Sequence, residues 1–141
     1  MKYKLVIFDL DLTLIHDKGL YSDVVDILKL LQMHNVSIAL ASYNANAGKM
    51  LQQYGIENYF QHIFYEDWIF KDVLDWKHQM LSDILSLTGI PSHETVLFDD
   101  NKHNLNTAKS LGITAVQVTP QIGVDMKLII DTLQPENDVC T

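Results

Sequence analysis

Five short apolar segments, at Lys4–Phe8, Val36–Ala41, His62–Tyr65, Thr95–Phe98 and Thr114–Val118, constrain the fold more than any other feature of this chain. Each is unbroken and often β-branched, as expected of a strand buried on both faces. Between them, apolar residues return at helical spacing. Ser22 precedes Val24, Val25, Ile27, Leu28, Leu30 and Leu31 as the expected N-cap of a first helix. Ala47–Tyr54 closes at Gly55, and a helix from about Asp75 to Thr88 stops at Gly89 with Pro91 beyond. Leu105–Leu111 ends at Gly112, and a last helix covers about Val124–Leu133. This alternation predicts an α/β fold: a five-stranded, mainly parallel sheet between two layers of helices, with its site at the carboxyl ends of the strands.

Composition bounds what such a fold can do. With 141 residues, 48% hydrophobic and 20% charged, the chain suits one domain over residues 1–134, followed by a polar tail, 135–141, that is expected to fray. No apolar run approaches the ~20 residues of a membrane span. Met1-Lys2-Tyr3-Lys4 leads into a strand rather than a signal peptide, so a cytoplasmic location away from membranes is expected. Ten Lys+Arg against 18 Asp+Glu give a formal charge of −8, which opposes non-specific binding to nucleic acid. The single cysteine, Cys140, excludes an internal disulfide and a cysteine-based zinc site.

Chemistry concentrates where the predicted strands end. Asp9-Leu10-Asp11-Leu12-Thr13 follows the first strand, and in an extended segment Asp9, Asp11 and Thr13 share one side. Two acids so close repel, and they either raise a pKa or recruit a cation. Ser42-Tyr43-Asn44 follows the second strand. The Ser42 hydroxyl and the amides of Tyr43 and Asn44 suit phosphate oxygens, while a plain capping role fits Ser42 equally well. Asp99-Asp100-Asn101 adds a second acidic pair at the same predicted edge; the pair is either a helix cap or, with Asp9 and Asp11, a hard-oxygen site for Mg²⁺. Asn104 is read as the cap of the helix that follows. Lys77 stands at the start of the third helix, an unfavourable end for a cation unless something there needs it, and Lys71 is the rival candidate.

In order, Asp9-Leu10-Asp11-Leu12-Thr13, Ser42, Lys77 and Asp99-Asp100 resemble the four motifs of the haloacid-dehalogenase-like hydrolases. The stretch from Lys77-His78 through Thr88-Gly89-Ile90-Pro91 to Phe98-Asp99-Asp100 is similar to the small magnesium-dependent phosphatase branch, although Tyr43-Asn44 departs from that branch. The resemblance implies a Rossmann-like sandwich and a phosphomonoesterase. Asp9 would be the nucleophile and metal ligand, Asp11 the general acid and base, and Lys77 and Ser42 the phosphate partners. Asp99 and Asp100 would serve the Mg²⁺, with Asp100 favoured as the direct ligand by similarity to the phosphatase domain of soluble epoxide hydrolase. Asp11 enters the metal set beside them, and Thr13 orients the turn. A receiver-type phosphoacceptor domain combines similar groups in another order, and a catalytically idle binding protein is the remaining alternative.

The stretches between Thr13 and Ser42 and between Ser42 and Lys77 are each used by a helix and loops, which leaves no room for a cap domain. An open site shielded only by a flap at Leu14–Leu20 would admit a phosphorylated small molecule or a phosphoprotein. Trp68, Phe70 and Trp76, within Tyr65–Trp76, suit core packing or partner binding better than a substrate rim. The six histidines read as surface or packing residues, with His16 and His103 the two that could touch substrate.

Overall fold

A computed structural model of the chain describes residues 2–65 and 75–134. Strand β1 (Leu5–Phe8) is followed by a hairpin, β2 (Ile15–His16) and β3 (Gly19–Leu20), then α1 (Val24–Met33), β4 (Ser37–Ala41), α2 (Ala47–Gln53) and β5 (His62–Phe64). After them come α3 (Trp76–Thr88), β6 (Thr95–Asp99), α4 (Lys102–Ser110), β7 (Thr114–Gln117) and α5 (Met126–Leu133). Every predicted strand and helix is present, with ends that differ by at most three residues. The flap expected at Leu14–Leu20 is the β2–β3 hairpin.

The main sheet runs β5-β4-β1-β6-β7, and all its pairings are parallel. In β1, Leu5 faces Ser37 on one side and Thr95 on the other, and Phe8 faces Leu40 and Phe98. This level register makes β1, β4 and β6 run out together, so the residues that follow them share one edge.

Alternation along the strands divides the core. Val6, Phe8, Ile38, Leu40, Val96 and Phe98 pack on one face against apolar residues of α1, α2 and α5. Leu5, Ile7, Ala39, Ala41 and Leu97 pack on the other against Met80, Leu81 and Ile84 of α3 and Ala108 of α4. Burial of both faces accounts for the unbroken apolar composition of the strands.

Three local expectations are corrected. The N-cap of α1 is Asp23, not Ser22, and its carboxylate accepts a hydrogen bond from the Met126 N–H at 2.8 Å, tying α1 to α5. Helix α4 starts at Lys102 with Asn101 as its cap, so Asn104 lies within the helix and donates its N–H to the Asn101 side chain at 3.1 Å. The third concerns Asp9–Thr13, which does not continue β1. The N–H groups of Thr13, Leu14 and Ile15 all donate to the Leu10 carbonyl, and Leu12 takes the left-handed conformation at φ 62°. A wound turn breaks the two-residue alternation: Leu10 and Thr13 are buried, whereas Asp11 and Leu12 are exposed.

Gly123 shows why one loop needs glycine. Its φ is 64°, and a Cβ there would lie 2.3 Å from the Tyr21 ring. Tyr21 reaches over this loop to donate its hydroxyl to the Pro120 carbonyl at 2.6 Å. The neighbouring Val124 N–H donates to the Thr13 carbonyl, which fastens the loop to the turn after β1. No described helix is long and apolar enough to cross a membrane. Trp68, Phe70, Lys71, the tail at 135–141 and Cys140 lie outside the described residues.

Candidate active site

Three carboxylates meet at the shared strand edge. Asp9 leaves β1, Asp99 ends β6 and Asp100 follows it; one oxygen from each lies within 4.8 Å of the others. Lys77 enters from the first turn of α3. Its ammonium is fully buried, 3.2 Å from Asp99 Oδ2 and 3.6 Å from Asp9 Oδ1, and it donates to the Ala41 carbonyl at the end of β4. A lysine at a helix N-terminus opposes the helix dipole by roughly 0.3–1 kcal/mol. Pairing with a buried carboxylate outweighs that, because stranding such a charge costs about 3–5 kcal/mol.

Asp99 is the most heavily bonded member. Oδ1 accepts the Asn101 N–H at 2.9 Å, and Oδ2 accepts from the Asn104 carboxamide at 3.2 Å while facing Lys77. Asp9 has fewer such partners. Burial pushes its carboxyl well above the usual carboxylate range, the Lys77 ammonium pulls it back, and the charges of Asp99 and Asp100 raise it further. Asp100 is partly buried and is raised chiefly by desolvation, opposed by a hydrogen bond with Asp9. Three acids with one ammonium leave an excess of negative charge among hard oxygen donors. That donor set fits a divalent cation of the Mg²⁺ class.

Above this floor lies a cleft of ≈ 180 Å³ lined by Asp9, Asp11 and Asp100, with Leu12, Tyr43 and two asparagines completing it. A larger hollow of ≈ 540 Å³ beside the flap lies among His16, Tyr21 and Ile122, away from the three clustered carboxylates. The smaller cleft is therefore the candidate site. Among the described residues no additional domain is inserted over it.

The remaining expected residues divide between floor and rim. Ser42 is buried, and its Oγ accepts the Asn44 N–H at 3.0 Å. The Asn44 amide is thus already engaged, and its carboxamide turns to Asp11, outside the three-carboxylate cluster. Tyr43 accepts the Lys77 backbone N–H on its hydroxyl at 3.0 Å and stacks against Trp76 with centroids 6.1 Å apart. Thr13 is buried beneath the turn, and its Oγ1 has no hydrogen-bond partner among the described residues. His16 packs on Tyr21 at 4.7 Å, and His103 lies 3.4 Å from Asp75, so each has a protein partner.

Two contributors escape a reading of the sequence. Asp75 caps α3 by accepting the His78 N–H, fixing the turn that carries Lys77, and it also accepts from Thr107 of α4. The Asp-x-x-His spacing is a legible cap signal, but the link to Thr107 is not. Asn104 braces Asp99 from within a helix, and a polar residue among Leu105 and Ala108 is its only outward sign.

An acid-lined cleft at the carboxyl edge of an all-parallel sheet defines an α/β protein with a site whose carboxylates could hold a metal ion. A sequence model of the haloacid dehalogenase-like hydrolases matches residues 15–118, and the chain belongs to that family. Membership in a hydrolase family displaces the receiver-type alternative.

The human protein named magnesium-dependent phosphatase 1 is 26% identical over 122 residues, covering 84% of this chain. The chain spans 64% of that protein's length. Among solved structures, a hydrolase from Streptococcus pneumoniae TIGR4 superposes with a TM-score of 0.78 at 12% identity, covering 94% of this chain and 99% of that one. A HAD-like family hydrolase from Porphyromonas gingivalis gives 0.77 at 14% identity, covering 96% of this chain and 100% of its own. The two structures establish the fold.

Proposed function

We propose that this protein is a Mg²⁺-dependent phosphomonoester hydrolase that acts through an aspartyl-phosphate on Asp9, with Asp11 as general acid and base. One observation carries the reading: Asp9 lies on the floor of an open cleft, crowded by two further acids and served by one ammonium, with Asp11 on the rim above it. Crowded carboxylates of this kind are costly to fold and mark working sites.

In the first step a carboxylate oxygen of Asp9 forms a bond to phosphorus as the bond from phosphorus to the ester oxygen breaks. The electron pair stays on that oxygen, which takes the proton of Asp11 and departs as the alcohol. In the second step Asp11, now a carboxylate, takes a proton from water as the water oxygen bonds to phosphorus. The bond to Asp9 breaks, inorganic phosphate leaves, and both acids return to their starting forms.

Lys77 balances charge on Asp9 and on the phosphoryl group, and the Ser42 hydroxyl and Tyr43 amide donate to phosphoryl oxygens. Asp9 and Asp100 would hold Mg²⁺, because the oxygens of Asp99 are already taken by Asn101, Asn104 and Lys77. When bound, the ion supplies Lewis-acid neutralisation of the phosphoryl oxygens. The name of the human relative supports a phosphatase with this requirement. The open cleft suits a phosphorylated small molecule or a phosphoprotein.

Purified protein should hydrolyse p-nitrophenyl phosphate with Mg²⁺, stop in EDTA and recover on adding the ion back. Turnover by Asp9→Asn equal to that of the unaltered protein would sink the mechanism.

A further inference from the structure

Asp11 stands apart from the cluster that gives the site its charge. It is exposed, it lies on the wound turn after β1, and it makes no ion pair with Lys77 among the described residues. Its carboxylate is engaged from the loop after β4: Asn44 Nδ2 lies 3.1 Å from Oδ2 and 3.4 Å from Oδ1.

Asn44 is itself fixed in orientation. Its Oδ1 accepts the Asn46 N–H at 2.8 Å, and its backbone N–H donates to Ser42 Oγ at 3.0 Å. These partners decide which end of the carboxamide faces Asp11. A flipped amide would set oxygen against carboxylate and NH₂ against N–H, losing both bonds at once. One side chain therefore ties the loop after β4 to the turn after β1. The backbone of the same residue is joined to Ser42, the expected phosphate partner.

We infer that Asn44 is a positioning residue that aims Asp11 at the leaving oxygen. The inference rests on the reading of Asp11 as general acid. An exposed aspartate on a turn samples several rotamers, and only some bring its carboxyl to the ester oxygen; a 1 Å misplacement can cost about 100-fold in rate. Asn44 restricts that sampling without entering the reaction. The effect is selective by leaving group. A departing alkoxide needs Asp11's proton as its bond to phosphorus breaks, whereas a departing p-nitrophenolate is stable without it. Asn44 therefore matters for the first step with alkyl phosphates and little for the first step with p-nitrophenyl phosphate, whereas the second step, in which Asp11 serves as base, is the same for both esters.

The test compares the first-turnover rate, read with enzyme in excess as release of glycerol or p-nitrophenolate, for glycerol 2-phosphate and p-nitrophenyl phosphate, both with Mg²⁺, in the unaltered protein, Asn44→Ala, Asp11→Asn and the double variant. Asn44→Ala should lose roughly 30- to 100-fold in the first-turnover rate on the alkyl ester, keep the first-turnover release of p-nitrophenolate within about 3-fold and leave the substrate concentration for half-maximal rate near its starting level on both esters. The double variant should be no slower than Asp11→Asn, because a residue acting through Asp11 has nothing left to position. Retained p-nitrophenyl phosphate turnover also shows that the variant is folded. Equal losses on both esters, no loss on the alkyl ester, or additive losses in the double variant overturn the assignment of Asn44 while leaving the mechanism standing. No turnover of either ester by the unaltered protein, or full alkyl-ester turnover by Asp11→Asn, overturns the mechanism and the inference together.

Discussion

Asp99 and Asp11 serve the same cleft and are held in opposite ways. Asp99 is fully buried at a strand end, with Lys77, Asn101 and Asn104 filling its oxygens. Asp11 is exposed on a turn, and among the described residues its side-chain hydrogen bonds come from Asn44 alone. The difference matches what each group is asked to do. A charge that stays fixed through the reaction benefits from rigid, satisfied surroundings, whereas a group that gains and loses a proton must reach both substrate and water. Changes on the Asp99 side should therefore cost stability and activity together, and changes at Asp11 activity alone.

The strongest break in that comparison is Lys77→Met. It strands buried Asp99 without its cation and should cost about 3–5 kcal/mol in urea unfolding as well as all phosphatase activity. A loss below about 1 kcal/mol would mean that solvent reaches the pair and that the floor is not rigid. Asp11→Asn should behave in reverse. Turnover of an alkyl phosphate falls about 10²- to 10⁴-fold, while unfolding stability stays within about 0.5 kcal/mol.

Asp9 sits between these extremes, and its prediction has a sign. Burial and neighbouring acids raise its folded carboxyl above the value in the unfolded chain. Between the two values the folded protein binds more protons than the unfolded one, so stability declines as pH rises through that window and stays reduced above it. Asp9→Asn should accordingly raise the melting temperature of the metal-free protein at pH 7 by roughly 3–6 °C, the shift that ~1 kcal/mol gives a domain of this size. The gain should vanish below about pH 4, where the unfolded carboxyl is protonated as well. Added Mg²⁺ should raise the melting temperature of the unaltered protein progressively and that of Asp9→Asn far less. Scanning calorimetry across pH and Mg²⁺ concentration reads all three outcomes.

The smallest effect concerns the turn that presents Asp11. Leu12 holds a φ of 62° and is 38% exposed. The left-handed conformation costs an ordinary residue about 1–2 kcal/mol, and asparagine tolerates it better. Leu12→Asn should therefore be neutral or gain up to about 1 kcal/mol, whereas Leu12→Val should lose stability in the same unfolding assay.

What the sequence makes legible follows the same division. Asp9, Ser42, Lys77 and Asp99 lie at the ends of strands or the start of a helix, and strand–helix alternation with a level register brings them to one edge. Asp11 lies beyond that logic. Its placement depends on three N–H groups converging on the Leu10 carbonyl, a closure that no two-residue or four-residue pattern announces. Tyr43 and Asn44 were expected to offer amides to phosphate. Their side chains are engaged with Lys77 and Asp11, partners far along the chain. Asn104 reads as a cap because asparagine favours caps, and only the position of Asp99 shows what its carboxamide is for.

The central place of β1 in the sheet has a consequence for synthesis. Asp9 is made before the residues that complete its site: its strand is paired on one side by β4 and on the other only by β6, and Asp99 and Asp100 arrive with the second. A nascent chain that has emerged as far as β5 carries Asp9 and Asp11 but neither the lysine nor the second acidic pair. It holds Asp9, Ser42 and Tyr43 but lacks the Lys77 ammonium and the Asp99–Asp100 pair that complete the cleft. Long-range pairing of this kind is slow to form, so the site is incomplete until β6 has docked against β1.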